Sequence, residues 1–165
     1  MTTIGFIGTG NMGGALAKAA FRSELPVTIL LSNRTREKAE QLSEEIKGTV
    51  CDNCDVALAA QIIFLGVKPQ MLEDVAREIT PVLHKRTDRY VIVSMAAGKS
   101  LEKLEEYFGS VPLIRVAPNM PVITGSGLTL FSANSFVTEE EKAFFIQLMK
   151  PSGIVEESDE NTLVT

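Results

Sequence analysis

Residues 4–13 read Ile-Gly-Phe-Ile-Gly-Thr-Gly-Asn-Met-Gly. A short apolar run ends in Gly8-x-Gly10-x-x-Gly13, and Met12, Ala15, Leu16 and Ala19 then follow at helical spacing. Each glycine has a separate task in a strand–turn–helix unit. Gly8 allows the tight turn, Gly10 lets a pyrophosphate approach bare backbone, and Gly13 lets the new helix pack close to the strand. The helix opening then offers unpaired N–H groups and a positive dipole end to phosphates. Glycines also serve ordinary turns, so the pattern gains its force from its place between a strand and a helix.

Downstream, strand-like and helix-like periods alternate. Strands are expected at 3–8, 27–31, 49–51, 62–66, 90–94, 113–117, 127–131 and 153–156. Helices are expected at 11–22, 35–47 and 54–60, after Pro69, after Ser100 as N-cap, and after the capping box Thr138-x-x-Glu141. Gly48 is expected to stop the second helix. The alternation predicts crossover units, and so an α/β, Rossmann-type, doubly wound and mostly parallel sheet with helices on both faces. Residues 1–165 are expected to form one domain. Ligands of such sheets bind beyond the carboxyl ends of the strands, where strand order reverses.

Composition narrows the function. A net charge of −5 argues against a nucleic-acid or anionic-membrane surface. No run of apolar residues is long enough to span a bilayer, and the N-terminus enters a strand without a basic leader. Two cysteines fit a reducing compartment, so a cytoplasmic location is expected.

The end of the second strand selects the cofactor. NAD sites place an acid there to bind the ribose 2′-OH. This chain has Ser32-Asn33-Arg34-Thr35-Arg36 instead. An arginine attracts the extra phosphate of NADP, and an acid would repel it. NADP(H) is therefore the preferred cofactor, with NAD(H) possible. The alternative is that Arg34 and Arg36 only decorate a helix start, although cations there are mildly unfavourable.

Five ordered blocks resemble the pyrroline-5-carboxylate reductases. They are Gly8-Thr-Gly-Asn-Met-Gly13, Ser32-Asn33-Arg34, Leu65-Gly66-Val67-Lys68-Pro69, Ser94-Met95-Ala96-Ala97-Gly98, and Arg115-Val-Ala-Pro118-Asn119-Met-Pro121 followed by Gly125-Ser-Gly127. The resemblance covers essentially the whole chain. It implies reduction of a cyclic imine to proline with NADPH or NADH. It implies that Ile7, Gly8, Thr9, Gly10, Asn11 and Met12 wrap the pyrophosphate, and that Asn33, Arg34 and Thr35 hold the adenosine end with Ser32 beside them. It further implies that Asn53 touches the adenosine region. Gly66, Val67, Lys68 and Pro69, with Met95, Ala96, Ala97 and Gly98, would line the path to the nicotinamide, and Asn119 would sit near the active-site floor. Family members are homo-oligomers that carry a further helical dimerisation domain of about a hundred residues, a typical domain size. The chain stops about where that domain is expected to begin. Two smaller departures are Ala117, where methionine or threonine is common, and Gln61, where aspartate is usual. Two other readings stay open: a nucleotide-binding sensor without turnover, and a hydroxyacid or prephenate-type dehydrogenase domain.

The remaining chemistry-bearing residues have bland readings beside the functional ones. Imine reduction needs a nicotinamide held near the imine carbon, and a protonated imine needs no obvious side-chain acid. Lys68 either faces the cofactor or is a lysine snorkelling before a helix. His84, the only histidine, reads as a surface residue at a helix C-terminus. Cys51-Asp-Asn-Cys54 has redox spacing but reads as two incidental reduced thiols, and no further ligands suggest a metal. The acidic segment 156–160 reads as a solvated surface.

Overall fold

The computed structural model describes residues 1–118 and 127–163. The N-terminal half runs β1 (Thr2–Ile7), α1 (Asn11–Arg22), β2 (Val27–Ser32), α2 (Arg36–Ile46), β3 (Thr49–Val50), α3 (Asn53–Ala59) and β4 (Ile62–Leu65). There follow α4 (Leu72–His84), β5 (Val91–Ser94), α5 (Leu101–Phe108), β6 (Leu113–Pro118), β7 (Gly127–Ala133), α6 (Glu139–Met149) and β8 (Gly153–Glu157). The strands lie in the order β3-β2-β1-β4-β5-β6-β7-β8. β1 through β6 are mutually parallel, β7 pairs antiparallel with β6, and β8 is parallel to β7. A helix between two strands carries the chain back over the sheet and restores its direction. α6 does this between β7 and β8.

Alternate residues of each strand feed two cores. Ile4, Phe6, Ile62 and Phe64 face α1, α2 and α6, whereas Ile7, Ile63 and Leu65 face α3, α4 and α5. The strands are apolar on both faces because helices cover both, as a central parallel sheet requires. Phe6 stacks on Phe64 at 4.4 Å between ring centroids, and Phe131 meets Phe145 edge-on at 5.1 Å. This α/β/α sandwich is the expected fold.

Two local expectations are revised. The left-handed residue that closes α2 is Lys47, with φ 57°, not Gly48. Gly48 is small because a Cβ there would lie 2.8 Å from Leu31 Cδ1. Within the acidic segment, Glu160 is not a bystander. Its carboxylate accepts from the Leu101 backbone N–H at 2.6 Å and pairs with the buried Arg115 at 3.1 Å. α4 also continues through Pro81, an interior proline close to the end of the helix. His84 is exposed in the last turn of α4, as expected.

Candidate functional site

β1 lies between β2 and β4, so the chain winds outward in one direction from β1 and then in the other from β4. The crevice between β1 and β4 is where connections diverge to opposite faces of the sheet. A cleft of about 940 Å³ opens at the carboxyl ends of these strands.

Three glycines hold its floor. Gly8 has φ 94°, and a Cβ on it would lie 2.6 Å from the Gly66 carbonyl carbon. A Cβ on Gly13 would lie 2.1 Å from the Gly8 oxygen, and one on Gly66 would lie 2.7 Å from the same atom. The end of β1, the start of α1 and the end of β4 therefore touch through bare backbone. Gly66 has this packing task besides lining the cleft, and that task needs a tertiary contact to become visible. Gly10 differs, because a Cβ there would meet nothing within 4 Å. It is the N-cap of α1, with no side-chain cap and no acid in the first turn. The open space lies where a helix N-terminus offers N–H groups.

Asn33 ties the glycine turn to the end of β2. Its Oδ1 accepts from the Thr9 backbone N–H at 2.8 Å, and its Nδ2 donates to the Thr35 carbonyl at 2.9 Å. The Thr9 hydroxyl is buried and has no hydrogen-bond partner among the described residues. Behind this strut, Ser32 Oγ donates to Asn53 Oδ1 at 2.6 Å, and Asn53 Nδ2 donates to Glu78 Oε1 at 2.7 Å.

The cleft wall gathers many of the residues singled out in the sequence. Ile7, Gly8, Gly10, Asn11 and Met12 line it, as do Ser32, Asn33, Arg34, Thr35 and Asn53. Gly66, Val67, Lys68 and Met95 line its other end. Thr9 and Gly13 stand behind the wall, and Pro69 opens a short 3-10 turn beside it. Ala96 is buried, while Ala97 and Gly98 are exposed beyond Met95. Asn119 lies outside the described residues. Arg36, weighed in the sequence beside Arg34, also lines the wall; sequence reasoning missed Lys38 and the acids Asp74 and Glu78 from α4. Nothing local to these residues marks them, because which helix faces the crevice depends on strand order.

Arg34, Arg36 and Lys38 are exposed and make no salt bridge among the described residues. Lys68, exposed at the other end, also makes none. Cys51 reaches the cleft, but burial and the charges of Asp55 and Asp52 push its thiol pKa up. Burial and the Glu78 carboxylate do the same to Cys54. Both cysteines are free, and neither is activated as a thiolate nucleophile.

Strand reversal at β1, a glycine turn at that point and a cleft over it define a Rossmann-type α/β domain. The chain belongs to the family described as NADP oxidoreductase, coenzyme F420-dependent, whose model matches residues 3–98. It is also similar to a curated pyrroline-5-carboxylate reductase of Corynebacterium melassecola, at 33% identity over 99% of this chain and 62% of the relative. Among solved structures, a pyrroline-5-carboxylate reductase of Coxiella burnetii superposes with a TM-score of 0.90 at 26% identity, covering 98% of this chain and 61% of that one. A pyrroline carboxylate reductase of Plasmodium falciparum, solved with NADP bound, superposes with a TM-score of 0.82 at 24% identity, covering 98% and 58%. The resemblance read from the motif blocks thus holds over nearly the whole chain, which spans about six-tenths of the length of these proteins.

Proposed function

We propose that the chain is the cofactor-binding part of an NADP-dependent reductase that converts 1-pyrroline-5-carboxylate to L-proline. The observation that carries the reading is the pairing of an open, uncapped glycine turn with Arg34, Arg36 and Lys38, between β2 and the first turn of α2, which make no salt bridge among the described residues, within one cleft. The residues fit a dinucleotide with an additional phosphate. The N–H groups at the start of α1 would hold the pyrophosphate. Arg34, flanked by Arg36 and Lys38, would hold the 2′-phosphate, since no carboxylate ends β2. The family description and the sequence likeness to the reductases support the cofactor and the reaction.

Bound NADPH would supply the hydride, and the protein would supply orientation and electrostatics. Val67 and Lys68 at one wall and Met95 beside them would bound the nicotinamide end. The floor of packed glycines and the apolar Ile7 and Val67 would limit water there. Lys68 would add positive charge beside an anionic substrate, and we assign it no proton transfer. Asn119 is kept as a proposed neighbour of the substrate.

Among the described residues, no helix is long and apolar enough to cross a membrane. A cytoplasmic setting is proposed on the two free thiols. The substrate partner is proposed to be the small cyclic imine, within a homo-oligomer of proteins of the relatives' length.

Calorimetric titration with NADPH, followed by addition of the imine and mass-spectrometric detection of proline, tests this reading. Saturable binding followed by proline formation supports it. Binding without proline removes the reductase assignment for this chain by itself, and absence of binding removes the cofactor assignment as well.

A further inference from the structure

Asn53 stands on the cleft wall between two groups of unequal hydrogen-bonding character. Ser32 on one side is a hydroxyl, able to donate or accept. Glu78 on the other is a carboxylate from α4, and a carboxylate only accepts. A primary amide held by a hydroxyl alone can sit either way round. Glu78 removes that freedom by demanding the amide nitrogen, so Oδ1 turns to Ser32 at 2.6 Å and Nδ2 turns to Glu78 at 2.7 Å. Ser32 is buried, so the polarity of the relay is set at its exposed end. One Nδ2 hydrogen then remains for a ligand.

We infer that Glu78 is a positioning residue for the adenosine half of the cofactor, keeping Asn53 as a donor toward an acceptor atom such as a ribose oxygen or a ring nitrogen. The inference rests on the proposed dinucleotide site and extends it to a residue on α4, distant in sequence from the glycine turn and from β2. Its place follows from the chain of contacts. Asn53 bonds the last residue of β2, and the adenosine half lies over that strand end in a Rossmann-type crevice. Glu78 makes no salt bridge among the described residues, so its bond to Asn53 is not a by-product of ion pairing.

The test compares Glu78→Ala with Glu78→Gln, using NADPH, adenosine 2′,5′-bisphosphate and reduced nicotinamide mononucleotide as separate probes. A glutamine nearly matches the glutamate in size but can turn either its oxygen or its nitrogen to Asn53, so it keeps a partner and gives up the demand for the amide nitrogen. Glu78→Ala is expected to weaken NADPH and the bisphosphate by about fivefold, the range of one net hydrogen bond. Binding of the mononucleotide is expected to stay unchanged, and Glu78→Gln to weaken NADPH and the bisphosphate by no more than Glu78→Ala does. Equal binding by the alanine variant and the parent overturns the inference. So does a glutamine variant that binds the bisphosphate as tightly as the parent, which would make the accept-only character of Glu78 irrelevant, and so does equal weakening of both cofactor halves. If the parent protein binds no NADPH, the proposed function itself fails, an outcome distinct from these three.

Discussion

At the scale of single residues, the glycines of the turn divide into those whose backbone the fold packs against and one, Gly10, with open space beside it. Gly13 cannot carry a Cβ without meeting the Gly8 oxygen, whereas Gly10 has open space and a φ of −72° that any residue adopts. Gly10→Val is therefore expected to lower the melting temperature only slightly, as a poorer N-cap, and to lose NADPH binding. Gly13→Ala is expected to melt at lower temperature. Scanning calorimetry beside a binding titration separates the two effects, and unchanged affinity in Gly10→Val would refute the ligand assignment. Arg34 gives a second residue-level prediction. Removing one charge-assisted contact costs about 1.5–3 kcal/mol. Arg34→Ala should weaken NADPH by that amount and leave NADH nearly unaffected, and equal losses in parallel titrations would return the cation to a surface role. Other residues have purely structural tasks that the sequence did not reveal. Arg86 is buried and donates through Nη1 to the carbonyls of Ala57 and Ala60, at 2.8 and 2.6 Å. These contacts tie down the end of α3, and nothing local to Arg86 announces them.

At the scale of elements, helix openings were the most legible feature. The capping boxes of α3 and α6 are both formed, with Asp52 and Asp55 in one and Thr138 and Glu141 in the other. Only the second has the Thr-x-x-Glu pattern expected from the sequence; the first has Asp at both positions. Such boxes are readable because every atom involved lies within four residues. The α6 box has a long-range addition: Arg89 donates to both carboxylate oxygens of Glu141, at 2.6 and 2.9 Å, and also to the Phe136 carbonyl. The Arg89 hydrogen bond is the first cause holding the Glu141 pKa below the usual glutamate range. A pKa lowered by folding adds stability that is complete above the unfolded value and is lost as pH falls through the folded value. Glu141→Gln keeps the capping oxygen and loses the charge. It should cost about 0.5–1 kcal/mol at neutral pH. The gap to the parent should close in acid, which urea unfolding at both pH values measures. A gap independent of pH would deny the ion pair this role.

At the scale of the whole molecule, local pattern and global arrangement part company. Periodicity placed every strand, because apolar runs and helical stripes are properties of neighbouring residues. Strand directions followed only where a helix separates two strands. Periodicity alone leaves open the direction of β7, which is antiparallel to β6, although the eight residues between Pro118 and Gly127 are fewer than the roughly a dozen that a parallel crossover needs. The order around β1 decides which loops meet, and so brings Ser32, Asn53 and Glu78 from β2, α3 and α4 into one relay. It also converts Glu160, near the end of the described chain, from an expected surface acid into a clamp on α5 and β6.

The amino-acid order alone determined the alternating elements, the Rossmann-type class, the glycine turn and the basic end of β2. Each depends on side-chain size, charge or spacing within a few residues. Only the tertiary structure decided which glycine answers to packing and which to open space, that Asn33 and Asn53 act as struts, and that α4 contributes acids to the cleft. Those facts arise where segments distant in sequence come within hydrogen-bond reach, and contact between distant segments leaves no periodic trace in the chain.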